Sequence, residues 1–203
     1  DDSDYEGNET GIIAIDTVTG GSATENGTQS VTITINEDDS GPTVTLTSSA
    51  SSIDENAGSS LTLTATLSAA TIADVTVSFS YTGTGTAGGT DYANVSNIVI
   101  SKGSTTGTAS FTPVDDSTFE GDETAIVAID SVSGGGASES GSQAVTITIN
   151  EDDAGESFSI NDVTTSNESA ANHTFTVTLS SASGVTTTVD YATSNGTATA
   201  SSD

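Results

Sequence analysis

Nine consecutive residues, Asp115-Asp116-Ser117-Thr118-Phe119-Glu120-Gly121-Asp122-Glu123, carry five carboxylates. They follow the apolar Phe111 and Val114 and precede an apolar run over 125–129. A charge run this dense normally stays solvated. Pinned between two strands, its carboxylates must instead crowd together at one end of a folded domain. Mutual repulsion disfavours that arrangement unless a cation sits among them. Clustered carboxylate and carbonyl oxygens are the donors that Ca²⁺ takes, so the stretch points to a calcium site on a β scaffold.

Other chemistries find little to work with. Asp2, Asp4, Glu6 and Gly7 imitate the start of an EF-hand loop, but its twelfth position falls on Ile13 rather than a bidentate Glu. Gly83-Thr84-Gly85-Thr86-Ala87-Gly88 spells a G-x-G-x-x-G, with no helix after it to hold a pyrophosphate. There is one histidine, His173, and no cysteine, which leaves catalytic triads and zinc chemistry without parts. Paired carboxylates can cleave glycosides, yet the chain has no Trp, four Tyr and five Phe, few platforms for a sugar. Asn8, Asn26, Asn94, Asn167, Asn172 and Asn195 each begin an Asn-x-Ser/Thr sequon, several of which a chain rich in Ser and Thr forms by chance. Alternating Thr on strands suits an ice-binding face, but ordinary exposed strand faces look the same.

The elements that must position the acids are strands. Apolar content is only 32 % over 203 residues; Ser, Thr and Gly make up the difference, and Thr and Val favour strands while Gly supplies turns. A balance of 29 acidic residues against one basic residue, Lys102, gives a formal charge of −28. That argues against nucleic acid and anionic membrane surfaces as partners, and for bound cations, a salty medium or both. Disulfides are excluded. No apolar run approaches the roughly 18–20 residues that span a bilayer, and the acidic beginning of the chain has no signal-peptide character.

The chain repeats itself. Residues 1–39 align without a gap on 115–153, and the closing Val31-Thr32-Ile33-Thr34-Ile35-Asn36-Glu37-Asp38-Asp39 is identical to 145–153. A weaker match relates 52–68 to 166–181 and 85–91 to 196–203. The unit is about 112–114 residues, as in tandem repeat proteins. The sequence therefore reads as the back part of one module (1–39), a whole module (43–153) and the front part of a third (154–203). The expectation is a window on a longer array, with the alternative that the front part of one chain and the back part of another complete a module between subunits. Within the whole module, period-2 alternation marks seven strands over 43–47, 61–67, 75–81, 98–100, 108–114, 125–132 and 145–149. Seven such strands suit a two-sheet Greek-key sandwich, with Phe79, Phe111 and Phe119 as the bulky core residues. The linkers, Ser40-Gly41-Pro42 and Ala154-Gly155-Glu156, are short, and each follows an acidic triplet.

Three motifs together, Gly85-Thr86-Ala87 with Thr90-Asp91-Tyr92, the acidic stretch 115–123, and Thr148-Ile149-Asn150-Glu151-Asp152-Asp153, make the chain resemble the Calx-beta family. These are the calcium-binding sandwich modules of sodium–calcium exchangers and of many large bacterial surface and adhesion proteins. The resemblance covers essentially the whole chain and implies tandem immunoglobulin-like Greek-key β-sandwiches. It also implies calcium ligands at Glu55, Asp91, Asp115, Asp116, Glu120, Glu123, Glu151, Asp152 and Asp153. In the first module the matching positions are Asp1, Asp2, Glu6, Glu9, Glu37, Asp38 and Asp39; in the third they are Glu168 and Asp203. The triplet at 151–153 begins with Glu where the family commonly has Asp.

The expectation is a non-enzymatic, extracellular or cell-surface repeat in which Ca²⁺ stiffens the joints of an adhesin stalk or surface filament. Its expected partners are neighbouring modules and identical subunits, with a surface ligand or polysaccharide as a further candidate. Two other readings stay open: a regulatory calcium sensor in a membrane protein, and an accessory polysaccharide-binding module of a secreted enzyme. Scattered acids such as Glu25 and Asp74 are read as solvated surface.

Overall fold

The computed structural model describes residues 5–164 and 172–198. Asp1, Asp2, Glu168 and Asp203 lie outside the described residues. In chain order the strands are β1 (Glu9–Ala14), β2 (Ser30–Ile35), β3 (Thr43–Ser48), β4 (Ser52–Asp54), β5 (Leu61–Leu67), β6 (Val75–Gly83), β7 (Ile98–Ile100), β8 (Thr106–Phe111), β9 (Glu123–Ser133), β10 (Ser138–Glu139), β11 (Ala144–Asn150), β12 (Phe158–Ile160) and β13 (Val177–Leu179). No helix occurs among the described residues. The chain divides into two units. The first runs to Asp115 and resumes over Glu123–Asn150; the second comprises Asp116–Asp122 and the chain from Glu151 onward.

In the first unit β3 to β11 build an immunoglobulin-like sandwich. One sheet has the order β10-β3-β5-β8, the other β4-β11-β9-β6-β7. Each long strand alternates, so that one side chain in two enters the space between the sheets. Val44, Leu46, Leu63, Ala65 and Leu67 come from the first sheet; Val75, Val77, Ala125, Val127, Ile147 and Ile149 come from the second. The seven strands read from the sequence are all present. Two more are not legible by alternation, because β4 and β10 are three and two residues long. Both are places where a strand changes sheets. β3 pairs antiparallel with β5, and after a break at Ser49-Ala50-Ser51 the chain continues as β4, parallel to β11. Likewise β10 lies parallel to β3 before β11 joins β9.

The aromatic core differs from the expected one. Phe111 is fully buried, Phe79 is half-buried beside a bulge at Ser78/Phe79, and Phe119 belongs to the second unit. Tyr92 takes the central place. Its ring lies 5.1 Å from that of Phe111 and 6.2 Å from that of Tyr81.

The pairing register supports the repeat independently of side-chain identity. β1 pairs with β2 from Glu9↔Ile35 to Ala14↔Ser30, and β9 pairs with β11 from Glu123↔Ile149 to Ala128↔Ala144. Each partner is shifted by the same 114 residues as the sequence repeat. In the second unit Phe158↔Leu179 and Ile160↔Val177 reproduce Val44↔Leu67 and Leu46↔Ala65. Ile13 and Ile33 are 63 % and 46 % exposed, whereas their counterparts Val127 and Ile147 are buried completely. The apolar pattern is the same, but β9 and β11 lie in a sheet that faces a second one, whereas β1 and β2 form a two-stranded sheet.

Phe111→Ala is expected to remove about 3–5 kcal/mol of stability, as for a fully buried aromatic side chain. Urea unfolding followed by far-UV circular dichroism would measure it.

Candidate metal centre

Strand registers bring several acids of the first unit to one end of the five-stranded sheet. β4 and β11 run parallel and finish together at Asp54 and Asn150, and β9 begins beside them, with Glu123 opposite Ile149. The Glu55 N–H donates to the Asn150 carbonyl at 3.0 Å. β6 ends at the same place, with Gly83 opposite Ala125. The loop that follows β6 returns Asp91 to the vicinity of Glu123, and the two offer carboxylate oxygens within 4.8 Å of each other. Asp91 is 7 % exposed. Its carboxylate accepts the Thr86 N–H at 2.5 Å and its carbonyl accepts the Val114 N–H at 2.9 Å, so Asp115 is delivered to the same end. The chain leaves this unit at Asp115, returns at Glu123 and leaves again at Asn150. Every crossing is acidic or adjoins an acid.

In the second unit the Asp116 carboxylate accepts the Thr118 N–H at 2.6 Å, a turn that shapes the entry to the acidic stretch. Glu151 is gripped by backbone amides. Its Oε2 accepts from Glu120 at 2.6 Å and Gly121 at 2.8 Å, and its Oε1 from Asp152 at 3.0 Å and Asp153 at 2.8 Å. The Glu151 N–H donates in turn to Asp122 Oδ1 at 3.1 Å. Glu151 and Asp152 offer oxygens within 4.8 Å of each other.

The first repeat reproduces this arrangement. Glu37 Oε2 accepts from Glu6 at 2.6 Å and Gly7 at 2.5 Å, its Oε1 from Asp38 at 3.1 Å and Asp39 at 2.9 Å, and its N–H donates to Asn8 Oδ1 at 2.8 Å. Glu37, Asp38 and Asp39 together offer oxygens within 4.8 Å. Glu9, at the start of β1, is exposed. Gly7 and Gly121 have φ of 77° and 79°. That left-handed turn, which only glycine adopts cheaply, aims successive N–H groups at one carboxylate.

The electrostatics follow from these contacts. For Glu37 the Asp39 amide is the largest influence, and with the other amides it holds the carboxyl below its ordinary range against a burial penalty. For Glu151 burial is the largest single influence and acts upward, but four amides outweigh it and the net direction is down. Two acids read as solvated surface also hold backbone. Glu25 accepts the Gln29 N–H, as Glu139 accepts that of Gln143, and Asp74 accepts the Lys102 N–H at 2.9 Å. The pairing of Glu25-x-x-x-Gln29 with Glu139-x-x-x-Gln143 in the two repeats was the sequence signal for this role.

The donor set consists of carboxylate oxygens on a rigid sheet end and its loops, without thiolate or imidazole. That fits a hard cation such as Ca²⁺ and not zinc or copper.

The fold and its acidic end define the class: an all-β, immunoglobulin-like sandwich module with oxygen-rich loops where the strands terminate. A family model for the Calx-beta domain matches residues 37–153 and 150–203, and the chain belongs to the Calx-beta domain family. Among solved structures it is similar to the apo-form Calx CBD1 domain (19 % identity, TM-score 0.45, 55 % of this chain and 99 % of that one). It is also similar to CBD12 from CALX1.2 (19 %, 0.45, 58 % and 48 %) and to the calcium binding domain CBD12 of CALX1.1 (20 %, 0.44, 58 % and 50 %). The chain thus spans about half the length of the two CBD12 structures. No curated protein matches it.

Tyr81 and Tyr92 offer a contrast at the base of this end. The Tyr81 hydroxyl donates to the Val95 carbonyl at 2.8 Å, whereas the buried Tyr92 hydroxyl has no hydrogen-bond partner among the described residues. Burial first, then Tyr81, Asp91 and Glu123, push the Tyr92 phenol above its ordinary 10. Tyr81→Phe is therefore expected to lose about 1 kcal/mol, and Tyr92→Phe to lose nothing or gain. A raised folded pKa makes the stability owed to the neutral phenol complete below about pH 10 and lost above it. Denaturation measured from pH 8 to 11 should accordingly decline less steeply in Tyr92→Phe than in the wild type.

Proposed function

We propose that this chain is a non-enzymatic calcium-binding structural repeat of an extracellular or cell-surface protein, in which Ca²⁺ stiffens the joints of an adhesin stalk or surface filament. The whole module occupies 43–153, preceded by the back part of one module (1–39) and followed by the front part of another (154–203). The observation that carries the reading is the placement of the acids. Glu55, Asp91, Asp115 and Glu123 gather where the strands of the sandwich end, and the triplets 37–39 and 151–153 stand immediately before linkers of three residues. The candidate ligands are Glu55, Asp91, Asp115, Asp116, Glu120, Glu123, Asp152 and Asp153, with Asp1, Asp2, Glu6, Glu9, Asp38, Asp39, Glu168 and Asp203 in the flanking modules; Glu151 and Glu37 head the two triplets.

The mechanism is electrostatic. Two carboxylates about 4 Å apart repel by about 1 kcal/mol in water and about 4 kcal/mol at a protein surface, so without a cation the loops at each joint push apart. Bound Ca²⁺ supplies the compensating charge, and the short linkers convert a local closure into a fixed angle between modules. The registers that each partial module shares with the whole one favour a homogeneous array, which suits a spacer. Neighbouring modules and identical subunits are the partners; nucleic acid is not, given a charge of −28.

Extracellular modules hold Ca²⁺ with Kd of roughly 10⁻⁴–10⁻³ M. One site at about 100 times its Kd adds about 2.7 kcal/mol. The thermal unfolding temperature of the 203-residue chain should rise by several degrees from EDTA to excess Ca²⁺ and little with Mg²⁺, which demands near-ideal octahedral geometry and dehydrates reluctantly. Equal behaviour in all three conditions would end the calcium reading.

A further inference from the structure

The acid that heads each triplet is placed differently from its neighbours. A carboxylate has about four lone-pair sites on its two oxygens. In Glu151 four backbone N–H groups use them: Glu120 and Gly121 on Oε2, Asp152 and Asp153 on Oε1. Glu37 is used in the same way by Glu6, Gly7, Asp38 and Asp39. The two instances come from separate stretches of chain, and in each the glycine with positive φ turns one pair of amides toward the carboxylate.

We propose that Glu151 and Glu37 are positioning residues and not calcium ligands: each is an internal anionic latch that clamps the acidic loop to the triplet before any cation arrives. This rests on the calcium reading for its consequence, but the latch itself is a property of the cation-free protein. The four amide dipoles supply the positive counterpart that Glu151 would otherwise seek in a metal. By holding the backbone of residues 120–121 against that of 152–153, the latch fixes where the side chains of Glu120, Asp152 and Asp153 start from, and so acts on cation binding through them. Chain length is part of the argument. Glu places its carboxylate one methylene further from its own backbone than Asp does, far enough to accept at once from two amides of its own turn and two of another loop.

Ligand and latch predict opposite signs in EDTA. Removing a ligand carboxylate relieves repulsion, so the melting temperature holds or rises. Removing the latch leaves amides without their acceptor, so it falls. Glu151→Gln and Glu151→Asp, and independently Glu37→Gln, are therefore compared with Asp152→Asn in the full chain by thermal unfolding in EDTA, followed by calorimetric titration with CaCl₂. The expected result is a melting temperature lowered by several degrees in all three latch variants and not in Asp152→Asn. Ca²⁺ affinity should fall about tenfold in Glu151→Gln, the scale seen when a group supporting metal ligands is removed, without rescue by Glu151→Asp. A melting temperature in EDTA that is unchanged or raised in Glu151→Gln and Glu37→Gln overturns the proposal, as does wild-type Ca²⁺ affinity in Glu151→Asp. If the wild type itself does not respond to Ca²⁺, the calcium reading fails, and the EDTA comparison alone decides the latch.

Discussion

Uncompensated negative charge is the constraint on which the rest of this structure depends. A chain with 29 acidic residues and one basic one cannot neutralise itself with salt bridges. It uses the backbone instead. Glu25, Glu37, Asp74, Asp91, Asp116, Glu139 and Glu151 each accept at least one main-chain N–H. Charge-assisted bonds of this kind are roughly twice as strong as neutral ones, and they occur at loops, where amides have no strand partner. Acid that would otherwise expand the fold is thereby converted into loop structure.

The same constraint explains why the scaffold is a sandwich. Apolar residues are scarce, so burial has to be efficient. Two sheets sharing one layer of alternating side chains bury eighteen apolar residues in a single core, Tyr92 and Phe111 among them. The outward positions are left to Thr, Ser and Asp. Tyr92 is the largest fully buried side chain and adjoins Asp91, so one dipeptide anchors the core and turns a carboxylate toward the acidic end.

Much of this was legible in the sequence, for particular reasons. The long strands β5, β6, β9 and β11 alternate over seven residues or more, and alternation is a direct signature of one buried face. The 114-residue repeat carried the register with it, since identical turns and patterns enforce identical pairing. β4 and β10 escaped because a strand of two or three residues has no measurable period; they exist by virtue of the sheet edge they meet. Phe119 was assigned to the core on hydrophobicity alone, whereas its carbonyl accepts the Gly184 N–H and it bridges Ser183 in the second unit. Tyr92 was read only as part of a motif, because a polar hydroxyl conceals how completely its ring is buried. Asp115, Glu123 and Asp152 could be named as site candidates from the clustering of acids together with the family resemblance. That Glu151 spends its lone pairs on amides could not, because two of the donors come from a loop 30 residues away and two from the turn it begins.

The repeat turns this last point into an argument about division of labour within an acidic motif. Had the head of the triplet served only as one more negative charge, its geometry would be free to vary between copies. Yet Glu37 and Glu151 engage equivalent donors, on the same oxygens, with a left-handed glycine in the same place. Even the return bond is kept while its acceptor changes: the N–H of Glu37 donates to Asn8 and that of Glu151 to Asp122. Loss of a charge at that acceptor without loss of the bond shows that the hydrogen-bond geometry is maintained where the charge is not. A motif built this way separates the acids that shape the loops from the acids those loops present, and a cation can bind to the second set without first having to organise the first.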